Sequence, residues 1–411
     1  MPTKRNRAGK QQNYIEAGHG DVSGEYGDNA TGSNKHFTSF KKPTDNVGIE
    51  IKADGETSVQ AKPKYDGKGG ENLEKALTDK LKGANGKLTP NGKSLLDKIK
   101  GADDELSGVI GDYYIQNPSV EIKMGKNLGS MYAYSWGGAL RKIQLGNEAI
   151  NNDNNYSKGG AFFHESGHAL DYTHDGKHQT WSSNYKSDKY GKTLQEMVKE
   201  EIGNVDYSQI VKDYAEVKTS FLNNPEYIKL RDRYNELDKQ LDEIDNNIAN
   251  NPEVKRLDQL KTNLREKKID AFKKGNYEEM KKYDVELNKA YDDYKVAYKN
   301  AFPSNWTELN EEKDRCRIQK YNMQMEAYGK ANRMYGDLSD MCQASLDKRF
   351  GMGHGASYFK GREGDVNRGT EAFAEIMSAK ATNKEALDVL QKYIPKTLEI
   401  FDEIIGKIKG A

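Results

Sequence analysis

The sequence is short of four things, and each shortage narrows what the protein can be. It has only two cysteines, Cys316 and Cys342, in 411 residues, too few for a disulfide framework and in keeping with a reducing cytoplasm. It has no net charge, because 64 Lys and Arg face 64 Asp and Glu, which excludes a broadly basic nucleic-acid binder. No apolar run approaches the roughly 18 residues that a membrane-spanning helix needs. The opening MPTKRNRAGKQQNY carries charge with no apolar stretch behind it, so it does not read as a secretory signal. Apolar residues are scarce as well. The hydrophobic share of 35% includes 25 Tyr, and exchanging those for the 39 Gly gives roughly 38%, below the usual range of about 45–50% for globular chains. Part of the chain is therefore expected outside any core, although its length corresponds to roughly two or three domains.

Residues 1–70 are rich in Gly, Asn, Lys, Asp and Ser without a sustained helical period, a composition that cannot offset its ordering entropy and predicts a disordered leader. Short helical patterns follow at Leu73–Leu81 and Ser94–Ile99. The period then changes: Val120, Ile122 and Met124 alternate, and Met131–Trp136 and Ala139–Leu145 flank Gly137-Gly138, which predicts a β-hairpin. An Asn-rich loop leads through Gly159-Gly160 into an apolar helix from Ala161. Beyond Asp206 the chain is charged and helical. Tyr227, Leu230, Tyr234, Leu237, Leu241, Ile244 and Ile248 form a heptad seam of the coiled-coil kind. Breaks at Asn250-Asn251-Pro252 and Gly275-Asn276 predict helices folded back on one another. A short helix at Glu371–Ala379 and a longer one from Lys384, interrupted at Pro395, close the chain.

The residues that carry chemistry are in FFHESGHALD, where His164, Glu165 and His168 spell H-E-x-x-H. Four residues along a helix turn through about 400° and rise about 6 Å, so both imidazoles leave one face and can share a tetrahedral Zn²⁺. Glu165 stands beside them, placed to take a proton from water acidified by the metal, the chemistry of peptide-bond hydrolysis. Ser166 and Gly167 are small where such a helix must pack closely, while Phe162, Phe163 and Leu170 supply surface to bury. A third ligand has two candidates. Glu371 and Glu375, in RGTEAFAEIMSA, share a helix face, so one is able to bind zinc while the other holds a ligand imidazole. His174 follows His164 and His168 at the spacing of a three-histidine site, with Asp171 where that pattern has a turn-forming Gly.

HESGHALD and EAFAE together resemble the zincins whose third ligand is a glutamate on a second helix, in particular the anthrax-lethal-factor-like and Pro-Pro endopeptidase group. The resemblance implies one zinc per chain, held by His164, His168 and Glu371, with Glu165 as general base and Asp171 and Glu375 supporting the ligands. It covers the two motifs and the strands before them. Two departures stand out: about 200 residues separate Glu371 from His168, and Gly364 occupies the place where the group puts an oxyanion-stabilising Tyr. Tyr358 or His354, in the Gly-rich GMGHGASYF, is the nearest replacement. The group also pairs extended peptide substrate with an edge strand, a role open here to Met131–Trp136 or Ala139–Leu145. His178, His19 and His36 receive no role.

The implied fold class is α+β: a zincin-like metallopeptidase domain, with a small mixed sheet and an active-site helix, interrupted by a long antiparallel helical bundle and mainly helical overall. Its expected parts are a leader at 1–70, the first part of the domain at 71–205, the bundle at 206–340 and the remainder with the third ligand at 341–411. RAGKQQNYIEAG with SGEYG resembles terminal segments of bacteriophage head-associated proteins. SDMCQA with GHGASYF resembles the metallopeptidase-like tails of phage minor head proteins. These imply phage structural proteins as partners and a cytoplasmic or virion-associated setting. The expected function is a zinc metalloendopeptidase acting on proteins or peptides. The alternatives are a non-catalytic structural protein of a phage particle and a host-directed effector protease.

Overall fold

The computed structural model describes residues 50–51, 57–58, 65–125, 130–134, 141–146, 159–174, 179–360 and 364–410. Most of the expected leader, the Gly137-Gly138 turn, the Asn-rich loop and His178 lie outside them. The elements, in chain order, are β1 (Glu50–Ile51), β2 (Thr57–Ser58), α1 (Gly69–Thr78), α2 (Pro90–Ile99), α3 (Asp104–Gln116), β3 (Glu121–Gly125), β4 (Met131–Tyr134), β5 (Arg141–Gly146) and α4 (Gly160–Asp171). After these come α5 (Trp181–Asn184), α6 (Leu194–Asn204), α7 (Tyr207–Thr219), α8 (Pro225–Asn250), α9 (Pro252–Lys273), α10 (Tyr277–Asn300), α11 (Trp306–Leu346), α12 (Gly364–Thr382), α13 (Lys384–Tyr393) and α14 (Pro395–Gly410). The described chain is mainly helical, and none of its helices is long and apolar enough to cross a membrane.

Helix ends follow local chemistry. Thr89 caps α2 ahead of Pro90 at its first turn, Thr193 and Glu196 form a reciprocal capping box on α6, and Asn251 caps α9 where Pro252 begins it. At Pro395 the expected interruption is a full break, ending α13 at Tyr393 and starting α14. α12 begins at Gly364, a turn and more before the expected start at Glu371.

The chain divides into two units. One holds the described residues up to Tyr214 and from Gly329 onward; the other is Ala215–Tyr328. The second is thus shorter at both ends than the expected 206–340, for a visible reason: Tyr214 donates to Asn332 Oδ1 at 2.9 Å and packs edge-on against Tyr335 and Phe350, holding those residues in the first unit. The ordered packing also starts earlier than residue 71. Tyr65 is buried, its hydroxyl donates to Asp112 at 2.7 Å, and its ring lies so close to Gly108 that a Cβ there would come within 2.4 Å of it.

In the first unit β5 lies between β3 and β4. β3 runs parallel to β5, pairing Ile122 with Ile143 and Met124 with Leu145. β4 runs antiparallel to it, from Met131 opposite Gln144 to Tyr134 opposite Arg141. Ala139–Leu145 therefore cannot be the substrate-pairing edge, because β5 has neighbours on both sides; β4 has a free side among the described residues. Both β4 and β5 lie against α4. Of the twelve residues of α4 only His164 is not buried. Such a helix is enclosed nearly all round and lies in the core, its buried polar residues included. Its approach to α12 depends on Gly167: a Cβ there would meet Ala374 Cα at 2.9 Å and Met377 Cβ at 3.1 Å. Tyr114 and Ser166 share a buried hydrogen bond of 3.1 Å on another side. Gly167→Ala is expected to lower unfolding stability by about 1–3 kcal/mol through overpacking, set against a gain in helix propensity of up to about 1 kcal/mol. Urea titration of the two proteins checks it, and an unchanged midpoint would refute the close-packing argument.

In the second unit all seven positions of the heptad seam on α8 are buried or half-buried. Arg233 meets Glu312 of α11 through two hydrogen bonds of 2.7 and 2.9 Å, and Lys313 pairs with Asp238. α9 and α10 bury Leu264, Leu287 and Ala290 between them, with Lys268 paired to Asp284 at one end and Lys261 over the ring of Tyr294 nearer the other, at 3.4 Å. α11 has no counterpart among the elements expected from the sequence, and at 41 residues it is the longest.

Candidate metal centre

Gly159, at φ 78°, takes the left-handed turn that starts α4. Helical periodicity then sets His164 and His168 one turn apart, with their Nε2 atoms 3.1 Å from each other. α12 brings Glu371 to the same point. Its Oε2 lies 3.5 Å from His164 Nε2 and its Oε1 lies 3.4 Å from His168 Nε2. For ligand bonds of 2.0–2.1 Å the edge of a tetrahedron around zinc is about 3.4 Å, and each separation is close to that length, the two to Glu371 being measured from its two different oxygens. Glu371 is buried and its Oε2 accepts no hydrogen bond among the described residues. A buried carboxylate oxygen without a donor is costly unless a cation meets it. The donor set, two imidazoles and a carboxylate, suits zinc.

The residues behind the ligands complete the arrangement. His168 Nδ1 shares a hydrogen bond of 3.1 Å with Thr370 Oγ1. Asp171 accepts from the Ser182 amide at 2.8 Å and the Ser182 hydroxyl at 2.6 Å, and also from Thr370. It therefore reaches His168 through Thr370. Glu375 Oε2 lies 3.6 Å from His164 Nδ1 and is hydrogen-bonded on its other side to Asp337. A hydrogen bond such as that of Thr370 orients a ligating imidazole and fixes its tautomer, whereas Glu375 stands beyond hydrogen-bond reach of His164. Tyr358 donates to Glu371 Oε1 at 2.6 Å, and its ring stacks on His354 with centroids 4.2 Å apart. His354 Nδ1 lies 2.8 Å from Asp340 Oδ2, and Asp340 Oδ1 accepts the His354 amide at 2.6 Å.

Burial and neighbouring charge act in opposite directions here. Burial, with the charge of His168 added, holds His164 below the usual histidine range, as a neutral ligand must be. Burial would do the same to His168, but the charge of Glu371 outweighs it and raises that group. Burial pushes Glu165 up, with partial relief from His164 and His168. Glu371 is pulled below the usual carboxylate range because His168 and His354 override its burial. Burial takes Asp171 to about 6 against the Ser182 and Thr370 hydrogen bonds. It takes Glu375 to about 8, Asp340 and Glu371 adding to it against the Asp337 hydrogen bond. Asp337 is raised as well, by burial and by Glu375, as for two carboxyl groups sharing one proton.

The structure thus brings His164, Glu165, His168, Asp171, Tyr358, Glu371 and Glu375 together, with His354 beside them. It does not bring in His174. That ring packs edge-on against Trp181 at 4.5 Å, and among the described residues the groups able to hold a metal are His164, His168 and Glu371 and, beside them, Asp340, His354 and Glu371. Asp337, Asp340 and Thr370 join the site without having been expected there. Only Thr370 carries a local signal, by preceding Glu371. Among protein-family models, curated proteins and solved structures, none matches this chain.

Proposed function

We propose that this chain is a zinc-dependent metalloendopeptidase of the glutamate-zincin type, its fold a zincin-like domain carrying an antiparallel helical bundle as an insertion. The observation that carries the reading is the meeting of His164, His168 and Glu371 at tetrahedral spacing with a buried Glu165 beside them. Zinc held there supplies a Lewis acid that acidifies water and polarises a carbonyl. Glu165 takes the proton from the attacking water and hands it to the leaving amine, a task suited to a carboxyl whose affinity for protons burial has increased. Tyr358, whose hydroxyl stands ready as a donor to Glu371, turns from it to donate to the oxyanion, with His354 stacked behind it. His168 is held by Thr370, and Glu375 faces His164. An extended substrate adds to the open side of β4 by main-chain hydrogen bonds, leaving side-chain pockets to select the sequence. Proteins or peptides are the substrates, and phage structural proteins are the partners implied by the similar short segments.

The test is to incubate the zinc-loaded full chain with a peptide library and identify cleaved bonds by mass spectrometry. Cleavage that a chelator stops and added zinc restores is the expected result. Tyr358→Phe is expected to retain zinc and lower kcat by about 10²–10³-fold, the scale of losing one oxyanion donor, with a smaller change in KM. No cleavage by a chain that holds its zinc would favour the structural-protein reading instead.

A further inference from the structure

We propose that Asp340, His354 and Glu371 form a second divalent-cation site, joined to the first by Glu371 acting as a bridging carboxylate. The three ligand atoms lie within 4.8 Å of one another. His354 Nδ1 stands 2.8 Å from Asp340 Oδ2 and 3.8 Å from Glu371 Oε2. That Oε2 is the buried oxygen with no hydrogen-bond donor among the described residues, and it faces His164 on one side and His354 on the other. Oε1 faces His168 and Tyr358. Each oxygen of Glu371 therefore addresses an imidazole of the first site, and Oε2 addresses one of the second besides.

The second donor set is built rather than incidental. Asp340 comes from α11, Glu371 from α12, and His354 from the loop between them. Asp340 is buried, its side chain 1% exposed. The loop closes tightly over it: Gly353 sits at φ 144°, where a Cβ would fall 2.7 Å from Asp340 Oδ1, and the His354 amide binds the same oxygen. One imidazole with two carboxylates suits zinc or manganese better than an alkali or alkaline-earth ion. Paired metal sites sharing a ligand place their ions about 3.5–4 Å apart, a separation one carboxylate spans. The second ion takes Nδ1 of His354 in place of the proton shared with Asp340.

This proposal rests on the first site binding zinc, and zinc titration separates the two. The full chain is dialysed against rising free zinc, and bound metal is counted by mass spectrometry. The expected result is about two zinc per chain at saturation, with about one in Asp340→Asn and in His354→Gln, each checked for a cooperative thermal transition. Saturation of the wild type at one zinc overturns the second site and leaves the first standing, whereas no bound zinc removes both. Two zinc in either folded variant overturns the assignment to these residues. With cobalt as the probe, the paramagnetic resonance signal per ion is expected to fall when the second equivalent binds, through coupling across Glu371. A signal that simply doubles overturns the bridge.

Discussion

Glu165→Gln is expected to lower peptide cleavage by the zinc-loaded chain by about 10²–10⁴-fold, the usual contribution of a general base, while zinc content stays near one per chain at limiting metal. Gln keeps the shape and polar atoms of Glu165 but cannot accept a proton from water. The atoms placed to hold a metal belong to His164, His168 and Glu371, so metal binding is not expected to follow activity. Stability moves the other way. Burial raises the Glu165 carboxyl above its ordinary value, so the metal-free folded state is most stable with that group protonated and loses this stability as pH rises through the raised value. Gln has no such loss. The metal-free variant is therefore expected to melt at or above the wild-type temperature at neutral pH, measured by calorimetry. Full activity in a zinc-loaded Glu165→Gln protein would refute the peptidase mechanism, and loss of zinc from the variant would mean that Glu165 is itself a ligand.

Glu371→Ala is expected to remove tightly bound zinc altogether and to destabilise the metal-free fold as well. The carboxylate is buried and sits among His164, His168 and His354. Removing one member of a buried charge cluster typically costs about 3–5 kcal/mol, because the opposite charges stay behind uncompensated. Bound metal is read by mass spectrometry and stability by urea titration. The pair of readings separates two causes: Glu371→Gln restores packing and a carbonyl oxygen but not the charge, so it should recover only the packing share of the stability and little of the metal. If Glu371→Ala kept its zinc, Glu371 would not be the third ligand and the proposed site would be overturned.

The two halves of the site differ in how far local sequence determines them. His164, Glu165 and His168 are legible because helical periodicity alone decides which way they face, and Glu371 and Glu375 are legible as a pair for the same reason. The antiparallel pairing of the two runs that flank Gly137-Gly138 is legible, but the parallel pairing of β3 on β5 is not, since it depends on what packs against the sheet. Asp337 and Asp340 are hidden because a carboxylate three residues from another on a charged helix reads as a solvated face. The burial of Asp340 is purely tertiary, made by the loop of Gly353 and His354 that closes over it. α11 is illegible as a unit for a related reason: its first part lies in one unit and its last part in the other, so no single apolar stripe runs its length.

The wide separation of the ligands along the chain also has a consequence in time. His168 and its partner Thr370 are 202 residues apart, and synthesis proceeds at about 5–20 residues per second. The nascent chain therefore displays both histidines and Glu165 for roughly 10–40 s before the residue that would close the proposed metal site has been made. During that interval a growing chain has two of the three proposed zinc ligands, and whatever it meets near the ribosome meets an incomplete site. For the proposed hydrolase, length between the motifs thus acts as a delay on activity, set by the translation rate.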